Sequence, residues 1–365
     1  GYAFANVNAV PDIDRINNIV NFDFLLEPGK RIYVRRINFI GNEKTKDKVI
    51  RRELRQFESS WFSQSDVDRS KSRLSRTQFF DAVDIETPGV PGVSDQIDLN
   101  VKVTERNTGS ISIGAGLSSS EGVVGTFTVS QANFLGTGSN ISTSVSTGDL
   151  NSIYSLSFTD PYYTEDGVSR GWSVYKKSVD TAGQLDSTAK YKTSSYGAGV
   201  NFGVPISEYD TVTVGTLLDI TELELGATAP SGYRQYCDST GSTGTTCDTS
   251  SWLFYAGYTE DTRDNLIFPT KGKKLAFTFD MTAPLLDVKY YAAGGSYEKF
   301  TPLTDKVTTR VSTHLAYTDA YGGDILPFYK KFAAGGTDTI RGYQQGSVGK
   351  KVYDSTYKSF ITNGG

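Results

Sequence analysis

The side chains that most often carry chemistry are scarce in this chain. Its 365 residues include one histidine, His314, and two cysteines. A histidine-built metal site or a histidine-based acid–base centre needs more than this. His314 alternates with Arg310 and Ser312 on the polar face of a predicted strand, which is typical of a structural histidine. No Ser-His-Asp set, phosphate loop or metal-spaced cluster is recognisable. The sequence therefore predicts that the protein is not an enzyme and that it holds no cofactor and no metal.

The two cysteines lie in a stretch of Ser, Thr, Gly and Asp. Cys237 and Cys247 are ten residues apart, which matches neither a C-x-x-C redox pair nor a zinc pattern. An even count in an exposed loop favours one disulfide in an oxidising compartment. Two unpaired loop thiols remain the alternative.

A charged group near the N-terminal third could bind a partner. Arg51, Arg52, Arg55 and Glu58 are spaced to lie on the polar face of one helix. A solvated helix face with internal ion pairs is the plain interpretation. Nucleic-acid binding is disfavoured, since region 31–106 has 15 Lys/Arg against 12 Asp/Glu and lacks a stacking platform beside the cluster.

The composition restricts the scaffold that positions these groups. Hydrophobic residues make up 37% of the chain, yet Tyr (22), Phe (20) and Gly (37) are abundant, so the composition is not that of a disordered chain. No window approaches 18 uninterrupted apolar residues, so no transmembrane helix is encoded. A membrane protein is possible only as a β-barrel, whose strands are half polar.

Region 31–106 has the pattern of a small α+β module, in the order strand, helix, helix, strand, strand. We predict a strand over 32–40 and a helix over 45–57, with Val49, Ile50, Leu54 and Phe57 on its apolar stripe. A capping box at Ser65 and Asp68 predicts a second helix to about residue 79. Strict alternation over 97–103 predicts a half-buried strand of an antiparallel sheet.

The residues before this module predict a hairpin. Segments 2–10 and 19–26 flank Pro11-Asp12, which we interpret as its turn. The front of the corresponding module is expected to lie upstream of residue 1.

From residue 107 onward no helix pattern is found. About eleven segments of some 9–12 residues alternate between an apolar face and a Ser, Thr, Gly, Asp or Lys face, separated by turn clusters. A soluble sandwich would bury the apolar face, whereas an outer-membrane barrel would turn it toward lipid. Strand lengths, aromatic residues near strand ends and asymmetric loops favour the barrel: turns 134–138 and 205–209 are short, and loops 224–250 and 318 onward are long. An odd strand count that ends in a loop also predicts that the chain is a piece of a longer protein.

Several motifs together resemble the Omp85 superfamily. They are Asp-Thr-Ile-Arg-Gly-Tyr at 338–343, Asp-Thr-Arg-Asp-Asn at 261–265 with Phe-Pro-Thr-Lys-Gly at 268–272, Asn-Phe-Leu-Gly-Thr-Gly at 133–138, Asp-Pro-Tyr-Tyr at 160–163, the junction 107–110 and the run 51–58. The resemblance covers essentially the whole chain, and each motif alone is weak.

The resemblance implies an α+β POTRA domain followed by a transmembrane antiparallel β-barrel, with about eleven of an expected sixteen strands present. Residues 1–29 would be the C-terminal hairpin of a preceding POTRA domain and residues 30–106 a POTRA domain. Residues 107–365 would form the N-terminal part of the outer-membrane β-barrel, including the start of a long extracellular loop. The expected location is the outer membrane of a Gram-negative bacterium, with the POTRA domain in the periplasm.

The implied function is assembly and insertion of β-barrel proteins into the outer membrane. It would proceed by lateral gating and strand augmentation at the first barrel strand, where client strands add to a free edge. The residues of that strand are Thr108, Gly109, Ser110, Ile111, Ser112, Ile113, Gly114, Ala115, Gly116 and Leu117. The alternatives are a related secretion or translocation protein (TamA-like, or a two-partner secretion transporter) and a passive outer-membrane channel. Glycine that simply relieves crowding is the plain interpretation of the strand's composition.

The resemblance also assigns two contact sites. The motif Ile340, Arg341, Gly342 and Tyr343 would fold back into the lumen, with Arg341 paired to carboxylates of later strands; a mobile exposed arginine is the alternative. The Arg51, Arg52, Arg55 and Glu58 group would contact a helical-repeat accessory lipoprotein, Glu58 through an inter-protein salt bridge. Expected partners are therefore accessory lipoproteins, unfolded outer-membrane protein clients and outer-membrane lipid, without nucleic acid.

Overall fold

A computed structural model describes most of the chain. The described residues are 6–14, 19–118, 122–149, 151–180, 191–207, 209–226, 229–242, 244–265, 268–304, 306–332, 334–335, 340–343, 347–349, 351–354 and 359–362. They form two compact units, one of residues 1–109 with 131–139 and the other of residues 110–130 with 140–365. The first unit thus includes a short segment from the strand-rich half of the sequence.

The first unit contains a hairpin and an α+β domain. Its elements are β1 (Asn6–Asp14), β2 (Ile19–Glu27), β3 (Tyr33–Ile40), α1 (Asp47–Arg51), α2 (Gln64–Arg76), β4 (Phe80–Glu86) and β5 (Gln96–Glu105). The predicted order of strand, helix, helix, strand, strand is therefore found. The three-stranded sheet has the order β3-β5-β4, and its buried face packs with the helices around Val34, Ile50, Leu74 and Leu99.

Strand β5 is the centre of this sheet, and its pairing corrects one expectation. It runs antiparallel to β4 but parallel to β3, so the sheet is mixed rather than antiparallel. The parallel pair is possible because both helices and β4 lie in the connection between β3 and β5. Ile97, Leu99 and Val101 alternate along one face of β5 and are fully buried.

The first helix is much shorter than predicted. It ends at Arg51, and the backbone N–H groups of Glu53 and Leu54 bond three residues back, as in a tightened last turn. The buried side chain of Gln56 then bonds Ser60, Trp61 and Ser63, which holds the chain in a loop. Phe57, predicted on the apolar stripe, is 60% exposed as a result.

The second helix and the hairpin each shift a predicted boundary. Ser63, not Ser65, caps α2, its hydroxyl accepting from the N–H of Asp66 at 3.4 Å. In the hairpin, Pro11 pairs with Phe22 inside the ladder, so Pro11-Asp12 is not the turn. A two-stranded ladder has only edge strands, where a proline without an N–H is tolerated.

The strand-rich half forms one wide antiparallel sheet of eleven strands, in consecutive order from β16 to β6. The strands are β6 (Gly109–Ser118), β7 (Gly122–Phe134), β8 (Ser139–Thr147), β9 (Asn151–Asp160), β10 (Ser169–Asp180), β11 (Tyr191–Pro205), β12 (Asp210–Leu225), β13 (Thr246–Asp261), β14 (Gly272–Thr282), β15 (Tyr290–Thr304) and β16 (Val307–Ala320). The predicted strand count and the antiparallel order are confirmed. The pair β17 (Lys351–Asp354) and β18 (Ser359–Thr362) follows.

An α-helix interrupts this half, which corrects the expectation that no helix would occur. Helix α3 (Ser231–Ser239) lies between β12 and β13. Its buried residues, Tyr236 and Cys237, cover less than one turn, too little for a periodic signal.

The two faces of the sheet have the polarity of a membrane protein. On β13, Trp252 and Phe254 lie on the exposed face, Phe254 at 46%, whereas Thr249 and Ser251 on the opposite face are buried. The same holds for β12, where Leu218 is exposed and its neighbour Asp219 is buried. A soluble sandwich would show the opposite arrangement, so the barrel interpretation is confirmed over it.

No helix among the described residues is long and apolar enough to cross a membrane.

Candidate functional site

The predicted lateral-gate strand lies at one end of the sheet. Strand β6 is the last in the strand order, next to β7. Ile111, Ile113 and Leu117 on its exposed face project outward, Leu117 with 88% of its surface exposed. Between them lie Gly and Ser, which offer small cross-strand contacts. Among the described strands, β6 pairs with β7 only.

The contacts between β6 and β7 are small and polar. Ser110 and Ser130 join their hydroxyls at 2.7 Å, and a Cβ on Gly114 would collide with the hydroxyl of Thr126. On the polar face, therefore, no large side chain holds β6 to its neighbour at these two positions, and pairing there depends on the backbone and on small polar contacts.

The base of this strand pair is fastened by one threonine. The Thr108 hydroxyl donates to the carbonyl of Ala132 and accepts from Nε2 of Gln131 at 2.6 Å. The Thr108 carbonyl also accepts from the N–H of Ala132 at 3.1 Å. The junction after the α+β domain is therefore ordered by hydrogen bonds.

The turn after β7 packs on the α+β domain within the first unit. Asn133 has a positive φ of 53° and Gly136 one of 69°. The Asn133 side chain accepts from the N–H of Gly138 at 2.8 Å and donates to the Thr45 hydroxyl at 2.7 Å. The Gly136 carbonyl accepts from the N–H of Lys46 at 3.0 Å. A Cβ on Gly136 would overlap the carbonyl of the residue before Thr45, so only glycine fits there.

Glu105 completes this group at the end of β5. Its carboxylate accepts from the N–H groups of Lys44 at 3.0 Å and Thr45 at 2.6 Å. Burial alone would raise the pKa of Glu105, but these bonds and one from the Thr45 hydroxyl hold that pKa below its ordinary value. A continuous polar path therefore runs from Glu105 through Thr45 to Asn133. We call Glu105, Thr45, Asn133 and Gly136 the junction cluster.

The junction cluster was not predicted from the sequence. Its signal was the Asn-Phe-Leu-Gly-Thr-Gly motif at 133–138, where an asparagine and two glycines occupy positive-φ positions. The motif predicts a tight turn, but no local rule indicates which surface the turn contacts.

The predicted accessory contact is only partly assembled. The four side chains do not share a helical face, because α1 ends at Arg51 and Glu58 lies in the loop after it. Arg51 and Glu58 still meet, Nη1 to Oε2 at 3.5 Å, and Glu58 also accepts from the N–H of Ile37 at 2.9 Å. The Arg55 guanidinium instead donates to backbone carbonyls, of which that of Arg52 is 3.4 Å away. The half-buried Arg52 lies beside Arg51 in the turn that follows α1.

Exposed aromatic residues lie near this ion pair in the sequence and were not predicted. Tyr33 and Trp61 stack with ring centroids 3.9 Å apart, and the Arg31 guanidinium lies 5.4 Å from the Trp61 ring. Both rings and Phe57 are exposed. Tyr, Trp and Arg are the residues that most often dominate protein interfaces.

The lumenal-loop motif forms an exposed turn. The N–H of Tyr343 donates to the carbonyl of Ile340 at 3.4 Å, and Gly342 has a φ of 88°. Arg341 is exposed. Segments 336–339 and 344–346 on either side lie outside the described residues, so the pairing of Arg341 stays a prediction.

Cys237 and Cys247 form a disulfide, with Cα atoms 5.5 Å apart. Each is only 1% exposed, so the bond is buried rather than in an exposed loop as expected. It joins the end of α3 to the start of β13.

These features define a class of protein. A wide antiparallel sheet with apolar side chains outside and polar ones inside, preceded by a small α+β domain, is an outer-membrane β-barrel protein with a periplasmic domain. The model of the Omp85 superfamily domain matches residues 133–364, and that of the surface antigen variable number repeat, or POTRA, matches residues 32–106. The chain belongs to the Omp85 superfamily.

Named relatives agree with this assignment. The chain is 36% identical to the outer membrane protein assembly factor BamA of Neisseria meningitidis serogroup B, over all of this chain and 46% of the relative. It is 28% identical to BamA of Nitratidesulfovibrio vulgaris, over 97% of this chain and 43% of the relative. The crystal structure of Haemophilus ducreyi BamA lacking POTRA domains 1–3 superimposes with a TM-score of 0.85 at 32% identity, covering all of this chain and 71% of that one.

The chain thus spans less than half the length of these two curated relatives. Its family and the polarity of its sheet place it in the outer membrane, with the POTRA domain in the periplasm.

Proposed function

We propose that the protein of which this chain is part assembles and inserts β-barrel proteins into the outer membrane, and that it is not an enzyme. The observation that carries the proposal is the small and polar contact between β6 and β7 on the polar face of the sheet. Relatives named as assembly factors support it. Client proteins and outer-membrane lipid are the corresponding partners.

The proposed mechanism is lateral gating followed by strand augmentation at residues 108–117. The Thr108 carbonyl faces β7, where it accepts from Ala132. Because backbone groups alternate sides along an antiparallel strand, the N–H groups of Gly109, Ile111, Ile113 and Ala115 face away from β7, and these are the groups to which a client strand would pair. A client strand that pairs there gains about 0.5–1.5 kcal/mol for each hydrogen bond, whatever its side chains are.

The experiment tests one of these donors in the full-length parent protein. Ile113→Pro removes an edge N–H, while Ile113→Ala removes the side chain and keeps the donor. With the parent reconstituted in liposomes, we expect Ile113→Pro to reduce insertion of an unfolded barrel client about tenfold and Ile113→Ala to leave it nearly unchanged. Heat-modifiable migration of both variants checks that their barrels are folded.

Other outcomes would favour the alternatives. Normal insertion by Ile113→Pro would refute augmentation at this edge. Absent insertion by the wild-type parent, together with high ion conductance, would favour a passive channel. Export of a single dedicated client would favour a secretion transporter.

We further propose domain roles for the flanking segments. Residues 1–29 include the β1–β2 ladder, which fits the C-terminal hairpin of a preceding POTRA domain; residues 30–106 are a POTRA domain and residues 107–365 the barrel part. Arg341 within the 340–343 turn would brace the long loop in the lumen by pairing with carboxylates.

The accessory contact is proposed at the Arg51–Glu58 pair, with a BamD-like lipoprotein as the partner. The pair and the exposed Trp61 supply the charged and aromatic residues typical of an interface. We expect Glu58→Gln to weaken binding of the purified lipoprotein by about 2–5 kcal/mol if the pair is desolvated in the complex. The matched control is Glu86→Gln, since Glu86 forms an exposed pair with Lys102 on another element. Equal binding by both variants would place the contact elsewhere.

A further inference from the structure

A small hydrophobic core forms between the β12–β13 connection, which contains α3, and the segment that follows β16. Helix α3 contributes Tyr236 and Cys237, the ends of β12 and β13 contribute Leu223 and Cys247, and all four are buried. The segment after β16 packs against this core with Phe328 and Tyr329, in a 3-10 turn over Phe328–Lys330. We call α3 together with this turn the loop cap.

Phe328 is held between aromatic rings. It stacks on Tyr233 with ring centroids 3.6 Å apart and planes 7° from parallel. Tyr191 at 5.0 Å and Tyr236 at 6.1 Å approach it edge-on. Edge contacts such as those of Tyr191 and Tyr236 stabilise aromatic clusters beyond their buried area.

The side chains of Tyr329 and Lys330, which follow Phe328, also pack into this core. The Tyr329 hydroxyl lies 3.2 Å from that of Thr249 and 3.5 Å from that of Tyr236, and burial raises the pKa of Tyr329. The Lys330 ammonium lies 5.6 Å from the ring of Tyr290, and burial lowers the pKa of Lys330. Three successive residues are thus fixed by stacking, hydrogen bonding and a cation–π contact.

Helix α3, against which these residues pack, is expected to be only marginally stable without the disulfide. Helix α3 has nine residues, and its N-cap is Pro230, which makes no side-chain capping bond. Helices shorter than about 12–15 residues are marginal alone. The Cys237–Cys247 bond ties the end of α3 to β13 and closes a short loop, which restricts the unfolded alternatives of this segment.

We propose that the disulfide-closed helix α3 is an anchor for the segment that follows β16, the segment that carries the 340–343 turn. Phe328 and Tyr233 are its positioning residues, and the anchor holds only while the Cys237–Cys247 bond is intact. The inference concerns the order of a loop and does not depend on the proposed assembly role.

The perturbation is thiol–disulfide exchange with dithiothreitol. The dithiol loses two hydrogens and closes to its cyclic disulfide, while Cys237 and Cys247 each become a thiol. The full-length parent protein in detergent is then digested with limiting trypsin. Mass spectrometry measures the rate of cleavage after Lys330 and Lys331.

We expect slow cleavage at these sites in the oxidised protein and an increase of about tenfold or more after reduction, since proteolysis follows local opening. A Cys237→Ser/Cys247→Ser variant is expected to be cleaved at the fast rate with or without dithiothreitol. Phe328→Ala is expected to be fast in the oxidised protein, while Phe328→Tyr, which keeps the stacked ring, stays slow.

Two internal controls separate anchoring from general destabilisation. Heat-modifiable migration reports whether the barrel stays folded, and cleavage at sites in the α+β domain is expected to be unaffected by reduction. Equal cleavage of oxidised and reduced protein would overturn the proposal, as would continued protection of Phe328→Ala. Loss of heat-modifiability on reduction would also overturn it, because the disulfide would then support the whole barrel.

Discussion

Replacing Glu105 by Gln tests the junction cluster most directly. The substitution keeps one carbonyl oxygen and the size of the side chain but removes the charge and the second acceptor oxygen. In the structure the carboxylate accepts from two backbone N–H groups and from the Thr45 hydroxyl. Hydrogen bonds to charged groups contribute about 1.5–3 kcal/mol each, and Gln retains part of this, so the expected loss is about 1–3 kcal/mol at pH 7.

The loss should depend on pH in a defined direction. The folded-state pKa of Glu105 is held below its ordinary value, about 4.3 in unfolded chains. Its stabilisation is therefore present above the unfolded pKa and is lost as the pH falls through the folded pKa. The difference in unfolding free energy between wild type and Glu105→Gln should be constant near neutral pH and shrink below about pH 4.

Urea unfolding followed by tryptophan fluorescence measures this difference. Trp61 belongs to the α+β domain, and a Trp172→Phe/Trp252→Phe background leaves it as the reporter of this chain. The matched control is Glu86→Gln, because Glu86 pairs with Lys102 at 2.6 Å but both side chains are nearly half exposed. Such surface pairs contribute about 0–1 kcal/mol. Equal losses for the two variants, or a Glu105 effect that persists at low pH, would show that the charge of Glu105 does not stabilise the junction cluster.

Three further perturbations follow from local geometry. Gly136→Ala should lower the free energy of unfolding by at least about 2 kcal/mol in the same urea titration, because Gly136 has a positive φ and a Cβ there would overlap a backbone carbonyl. The control is Gly92→Ala, expected to cost about 1 kcal/mol, because Gly92 also has a positive φ but has open space around it. Equal costs would show that the close approach at Gly136 does not matter for stability. Arg73→Ala should lower the free energy of unfolding by about 3 kcal/mol, since it removes the ion-pair partner, 2.7 Å away, of Glu53, which is only 7% exposed. A decrease below about 0.5 kcal/mol would contradict this expectation. Asp264 accepts three hydrogen bonds that lower its pKa to about 2, so carboxyl infrared bands or NMR shifts should show it ionised at pH 3, and protonation at pH 4 would be inconsistent with the turn.

Periodicity predicted most of the secondary structure, because alternation and helical stripes are local properties of the chain. Strand β5 shows where that information ends. The alternation of Ile97, Leu99 and Val101 correctly predicts a strand with one buried face, but β5 pairs in parallel on one side, and pairing direction depends on distant residues. The predicted length of the first helix is wrong for a related reason. The buried amide of Gln56 donates hydrogen bonds to Ser60 and Trp61 in the following loop, and these bonds hold the chain out of the helix.

The candidate sites divide in the same way. The Cys237–Cys247 pairing followed from their count, but their burial did not, because it depends on packing between β12, α3 and the turn at Phe328. The Arg51–Glu58 pair forms although the helix predicted to align them ends at Arg51. The spacing in the sequence correctly predicted that Arg51 and Glu58 lie close together, but the loop that brings them together could be seen only in the structure.

The proposed client-binding strand has few recognisable side-chain motifs, and the way it would bind explains why. An enzyme active site is built from side chains, so residue types at fixed spacing reveal it. An edge that recruits strands by backbone pairing needs free N–H and C=O groups, which every residue except proline supplies. What sequence can encode is a weaker pairing on one face: Ser110 against Ser130, and Gly114 beneath Thr126, leave the polar face of β6 without large cross-strand pairs at these positions. It follows that bulky substitutions on the polar face of β6 and β7, such as Ser110→Val paired with Ser130→Val, should strengthen the resident pair and slow client insertion without touching any client-facing donor.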